Sequence, residues 1–309
     1  MPSPIDRAGR RVLSFFVLVF ATTWLFQLPA ILARNGRLAG PTDRYVPLVV
    51  LGYFAPAIAA LVLSARALGG DGVRALLRPF GLVRGLAGWY LLALGHPAAI
   101  LIAGMTVARL LVGPTAGSAF YPPTVAQMAA MIVIPFTEQI PWRGFAYPPL
   151  ERRFGPFAAS LIVGVAWALF HVQKQSLLGG LRVDVALWTA LLMTAGTVVY
   201  TWFYRRTGSM LLVVVANAGI YLDNPVQALP ASVIPLAVLA LGYTVLAFAL
   251  VRARAPSIAG SAPVSLPSPQ STESRARISR AAPARFPPRQ GAIARRSGSR
   301  RRSPAACDR

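Results

Sequence analysis

Met131-Ile-Val-Ile-Pro-Phe-Thr-Glu138-Gln-Ile-Pro-Trp-Arg143-Gly144 is an apolar run with one carboxylate set into it. Of the 9 acidic residues in the chain, Glu138 is the only one inside a long apolar segment. On insertion scales a charge near the bilayer centre costs about 2.5–3.5 kcal/mol, so a carboxylate found there marks function by default. His171, one of 2 histidines, closes another apolar stretch further along. A carboxylate and an imidazole, each on its own membrane helix, point to water activation inside the bilayer.

Composition agrees with that setting. The 309 residues are 55% apolar and 13% charged, with a mean hydropathy of +0.56. Soluble domains carry about 25% charged residues. Several apolar stretches approach or exceed the ~20 residues that span hydrocarbon as helix. The reading is an all-α, polytopic membrane helical bundle, because lipid offers no partner to an unpaired backbone group. The net charge of +22 resembles a nucleic-acid signal, but its distribution argues against that partner. Thirteen of the 31 basic residues follow position 251 in a Pro/Ser/Ala/Arg-rich stretch, and most others cluster between apolar runs. No folded basic face remains for nucleic acid. Cys307 is the only cysteine, which excludes an intrachain disulfide and a cysteine-based metal site.

About eight transmembrane helices fit, with limits near 12–33, 46–65, 87–112, 124–141, 157–172, 184–204, 209–222 and 233–251. The expected organisation is a cytoplasmic N-terminus (1–11), a transmembrane domain (12–253) whose motif core is 124–222, and a disordered basic cytoplasmic tail (254–309). Positive charge sorts the loops. Arg7, Arg10, Arg11, Arg66, Arg74, Arg78, Arg84, Arg143, Arg152, Arg153, Arg205, Arg206 and Arg252 all fall on one side of this arrangement. Arg34, Arg37, Arg44, Lys174 and Arg182 fall on the other. Both termini are therefore expected in the cytoplasm. Residues 66–86 read either as a short basic amphipathic piece at the surface or as an ordinary charged loop.

Three constellations carry polar chemistry. In the first, Glu138 is a candidate general base toward water or a metal ligand. Arg143 would pair with it or hold a substrate carboxylate. Pro135 and Pro141 bracket the glutamate and favour a local kink. The plain alternative is a Glu138–Arg143 pair that only locks helices together. In the second, Trp167-Ala-Leu-Phe170-His171, Trp167 and His171 share a helical face. The imidazole would ligate a metal or shuttle protons, against the plainer role of bonding a carbonyl. In the third, Gly208-Ser209 leads to Asn217 and Tyr221, one turn apart. Asn217 would donate to an oxyanion or weakly coordinate a cation, or else join two helices.

In this order and at these intervals, the three stretches resemble the CPBP family, the CAAX prenyl protease and bacteriocin-processing membrane proteins also called Abi. Its Glu-Glu-x-x-x-Arg motif corresponds to Glu138-Gln139-Ile-Pro-Trp-Arg143. Its aromatic-x-x-x-His motif corresponds to Trp167 through His171. Its third motif begins Gly-Ser and ends His-x-x-x-Asn/Asp, where this chain has Asn217 and Tyr221. The resemblance implies an intramembrane endopeptidase in a bacterial cell membrane, with membrane lipids and a peptide or lipidated protein as partners. Glu138 and His171 would activate the water, Arg143 would position, and Asn217 would polarise the carbonyl. It also raises a zinc ion held by His171 and Glu138, or a metal-independent mechanism. Gln139, Asn217 and Tyr221 depart from the pattern. They favour a second expectation, a catalytically silent protein that binds a membrane peptide or partner. A transporter with a Glu138/His171 proton relay is a third.

Overall fold

The computed structural model describes residues 4–81, 87–113, 125–171, 181–222 and 233–253. They are helical almost throughout, and no strand occurs among the described residues. Helices satisfy every backbone group within one segment, as a lipid environment demands. The helices are α1 (Pro4–Arg34), α2 (Val46–Leu77), α3 (Ala87–Val112), α4 (Val125–Gln139), α5 (Tyr147–Phe170), α6 (Val183–Thr207), α7 (Met210–Leu222) and α8 (Ile234–Arg252). A seven-residue π-helix, Ile140–Ala146, joins α4 to α5.

Six stretches among the described residues are long and apolar enough to cross a bilayer, and Met210–Ile220 is a shorter apolar helix. The protein is an integral multi-pass membrane protein. One of the six stretches, Ile132–Phe170, contains two of the expected passes. It is not one rod, because Gly155 (φ 78°, ψ 168°) breaks α5 just before Pro156. That backbone region is open to glycine and strained for residues with a Cβ. The first helix starts at Pro4 rather than near residue 12, and the expected tail, 254–309, lies outside the described residues.

The basic piece after the second pass is helical and amphipathic. Non-helical backbone at Leu68 and Gly69 separates it from the rest of α2. Gly72, Leu76 and Phe80 are buried, while Arg74 reaches out to Asp71 at 2.7 Å. Phe80 packs on Phe136, with ring centroids 4.9 Å apart. A Cβ on Gly144 would stand 3.0 Å from Leu76 Cδ1. This piece therefore braces α4 and the π-helix from one side.

The remaining helices surround the motif core. α5 packs on α6, α6 on α8, α7 on both α3 and α4, and α1 on α2. Helix α4 turns Ile132 and Val133 outward and buries Pro135, Glu138 and Gln139. The carboxylate therefore faces protein rather than acyl chains. Trp142, Arg143, Tyr147, Tyr200 and Tyr243 are among the largest fully buried side chains.

Candidate active site

Glu138 lies on the last turn of α4, where the α-helical hydrogen-bond register ends. Pro141 has no N–H to return to the Thr137 carbonyl, which favours a change of register. The Tyr147 N–H bonds the Trp142 carbonyl, five residues back, as a π-helix requires. The two prolines flagged a kink, and the kink takes the form of this wider turn. Short π segments recur at functional sites.

His171 caps α5 in helical backbone geometry (φ −89°, ψ −5°). Its Nδ1 is 2.8 Å from the Trp167 carbonyl oxygen. A carbonyl only accepts, so Nδ1 carries the proton and donates. The other ring nitrogen, Nε2, lies 3.4 Å from Glu138 Oε1. The plainer expected role of this histidine, bonding a carbonyl, is present at one nitrogen, and the other faces the acid.

Asn217, on α7, completes the group. Its Nδ2 donates to Glu138 Oε2 at 2.9 Å. Glu138, His171 and Asn217 are each less than a tenth exposed. Three elements distant in sequence thereby converge on one carboxylate. A cavity of about 20 Å³ adjoins Glu138, with Tyr53, Thr137 and Trp142 among its walls. That is room for about one water molecule. A second cavity of about 90 Å³ lies beside His171, between α5 and α6, and is lined by Ala168, Ala186, Ala190 and Thr194 among others.

Arg143 does not behave as expected. It makes no ion pair with Glu138 among the described residues. Instead its Nη2 donates to Thr197 Oγ1 at 2.7 Å, and its guanidinium lies 4.3 Å from the centre of the Trp167 ring. The π-helix turns it toward Trp167 on α5 and Thr197 on α6. It is 1% exposed, so it cannot grip a substrate carboxylate directly. Its contact with Trp167 supports the residue whose carbonyl holds His171. Gln139, at the position of the second motif glutamate, is fully buried, and neither of its amide atoms has a hydrogen-bond partner among the described residues. The side chain of Tyr221 lies outside the described residues.

A zinc site fits these residues poorly. Catalytic zinc takes three protein donors from imidazole, thiolate and carboxylate. Among the described residues His171 and Glu138 are two, and the third neighbour is a neutral amide. Among the described residues no three His, Cys, Asp or Glu side chains gather as a metal cluster. The other histidine, His96, is committed to Ala93 and Tyr243.

Two tyrosines at this site were not legible in the motifs. The Tyr200 hydroxyl donates to Asn217 Oδ1 at 3.5 Å, and Tyr53 lines the cavity at Glu138. Both sit in apolar runs where an aromatic residue is ordinary, so nothing in spacing or composition singled them out.

Fold and site together define a class: an all-helical, multi-pass integral membrane protein with an acid, an imidazole and a carboxamide gathered in its interior. No curated protein matches the chain. Residues 120–222 match the family model of type II CAAX prenyl endopeptidase Rce1-like proteins. That segment holds all three motifs, so the similarity falls on the stretch that resembles the CPBP family. The match is one of family level and points to CAAX-type endopeptidases.

Proposed function

We propose that this protein hydrolyses a peptide bond at the membrane with water activated by Glu138 and His171, without a metal. The observation that carries the proposal is the convergence of His171 and Asn217 on Glu138, whose side chain also lines a water-sized cavity that the other two do not line. Glu138 takes a proton from the water as hydroxide adds to the scissile carbonyl carbon. His171 Nε2 holds Oε1 and accepts or returns the shared proton, with its tautomer set by the Trp167 carbonyl. Asn217 Nδ2 moves its hydrogen bond from Glu138 to the oxyanion. Collapse of the tetrahedral intermediate breaks the C–N bond, and the proton passes from the acid to the leaving amine. Arg143 contributes by positioning Trp167 rather than by touching substrate. The substrate class is a peptide tethered to the bilayer by a lipid, presented from the cytoplasmic leaflet.

A second reading has its own support. Both oxygens of Glu138 are occupied by protein groups, and Gln139 and Asn217 replace ionisable residues of the family motifs. A closed triad of this kind suits a silent member that only binds a membrane peptide. The deciding experiment offers farnesylated and unlipidated peptides to purified protein in detergent, beside Glu138→Ala and His171→Ala. Cleavage by the unaltered protein alone supports the peptidase. Equal signals from all three end that reading. Retained peptide binding without cleavage favours the silent member.

A further inference from the structure

The water-sized cavity at Glu138 has a wall that the chemistry above leaves unused. Three residues around it carry side-chain oxygen: Tyr53 on α2, and Thr137 and Glu138 on α4. The Thr137 hydroxyl donates to the Ile134 carbonyl at 2.9 Å, so it has only lone pairs left to offer. Glu138 also accepts. Each of its oxygens has one protein partner, and a carboxylate has about four lone-pair sites. Of the three, only Tyr53 can donate. Its ring packs against the hydrophobic core, and its hydroxyl makes no hydrogen bond to any described residue.

The backbone that carries Tyr53 is fixed by α1. Pro56 has no N–H to return to the Gly52 carbonyl. Thr23 on α1 supplies the missing donor, its hydroxyl 3.1 Å from that oxygen. Gly52 also lies so close to Gln27 of α1 that a Cβ there would stand 2.9 Å from Gln27 Cγ. The residue just before Tyr53 is thus held in place, and Pro56 is itself part of the cavity wall. Phenylalanine at 53 would pack the same ring without a hydroxyl, whose burial is unfavourable unless it is bonded. A water molecule gives that hydroxyl a use. An enclosed water takes about 2–4 polar partners. Glu138 and Thr137 can accept its two protons. A phenol proton on one of its lone pairs leaves the other free to attack a carbonyl carbon.

We propose that Tyr53 is a further catalytic residue, whose hydroxyl holds the attacking water against Glu138 in this cavity. The catalytic role rests on the peptidase reading above; the water site does not. As Glu138 takes one proton from the water, the phenol stays bonded to the oxygen that adds to the carbonyl. Tyr53 keeps its own proton throughout.

The experiment uses the full chain. In detergent, with a farnesylated peptide, Tyr53→Phe is expected to lower kcat about tenfold with KM unchanged, the scale of one lost hydrogen bond. Tyr45→Phe, which removes an exposed bond to the Ala39 carbonyl, should cleave like the unaltered protein. Crystals of the unaltered chain grown in lipid, at a resolution that shows ordered water, should hold one water within hydrogen-bond distance of both the Tyr53 hydroxyl and the Glu138 carboxylate. That measurement needs no variant, so it decides the matter even where Tyr53→Phe fails to fold. A water on Glu138 that Tyr53 does not touch overturns the proposal. So does a cavity without water, and so does an undiminished kcat in folded Tyr53→Phe. If the bridging water is present while the unaltered protein cleaves nothing, the water site stands and the peptidase reading falls.

Discussion

Glu138 has two oxygens and a separate partner for each. That division of labour predicts which substitutions are tolerated. Glu138→Gln keeps the size and a donor–acceptor pair but removes the base. Cleavage of a farnesylated peptide should fall by about 10²–10⁴-fold, the usual contribution of a positioned general base. Asn217→Ala removes the N–H without adding charge. It should cost about 10²–10³ in kcat if that N–H serves the oxyanion, with KM little changed, in the same cleavage assay. The donor count supports a third expectation. Among the described residues the site offers two ligands and an amide, short of the three donors of a catalytic zinc centre. Incubation with 1,10-phenanthroline should leave the cleavage rate unchanged, and elemental analysis should find no stoichiometric zinc; loss of activity restored by zinc would contradict the mechanism. At this scale the motifs were informative about identity and less so about direction. They singled out Glu138, His171 and Asn217, which do meet. They also paired Arg143 with Glu138, because residues five apart near a helix end look close enough to interact. The wide turn between them places the guanidinium on Trp167 instead.

The π-helix is the element that makes this arrangement, and it was the least legible. Pro135 and Pro141 announced a disturbed helix, but a proline does not say whether the chain kinks, unwinds or widens. Ile140–Ala146 widens, and this one turn points Glu138 toward α5 and α7 while Arg143 faces Thr197 on α6. Deleting Ala146 removes one residue from the turn and restores an α-helical register. Each α-helical residue adds about 100° of rotation, so Glu138 would swing away from His171. The variant should keep its helix content by circular dichroism and lose at least about 10²-fold in cleavage, as expected when reacting groups are misplaced by ångströms. Unchanged cleavage would mean that the wide turn does not aim the acid.

Across the whole molecule, the multi-pass helical character was legible because apolar runs of span length are scarce outside membranes, whereas the expected eight passes stand against six span-length stretches and one shorter apolar helix among the described residues. Which face of each helix turns inward was not. Lipid tails are as apolar as leucine, so the side of a helix that meets lipid and the side that meets protein are written in the same residues. Leu91 and Leu110 are exposed, at 74% and 80%, while Leu212 and Leu239 are buried. Composition alone does not separate them. Close approach between helices is carried by small residues instead, and Gly164 on α5 is a sensitive example. A Cβ built there would lie 2.7 Å from Thr194 Cα on α6, a backbone atom that cannot rotate aside. Gly164→Val must therefore push α5 and α6 apart. His171 ends α5, and its 3.4 Å approach to Glu138 leaves little room for displacement. Overpacking of this kind costs about 1–3 kcal/mol. Gly95→Ala, on α3, adds a methyl where nothing lies within 4 Å and serves as the control. Thermal unfolding in detergent, followed beside peptide cleavage, should show a lower Tm and impaired hydrolysis for Gly164→Val, with neither change for Gly95→Ala. A Gly164→Val protein that melts early but cleaves normally would uncouple the α5–α6 contact from the site. Normal melting would show that the α5–α6 contact at Gly164 does not limit stability.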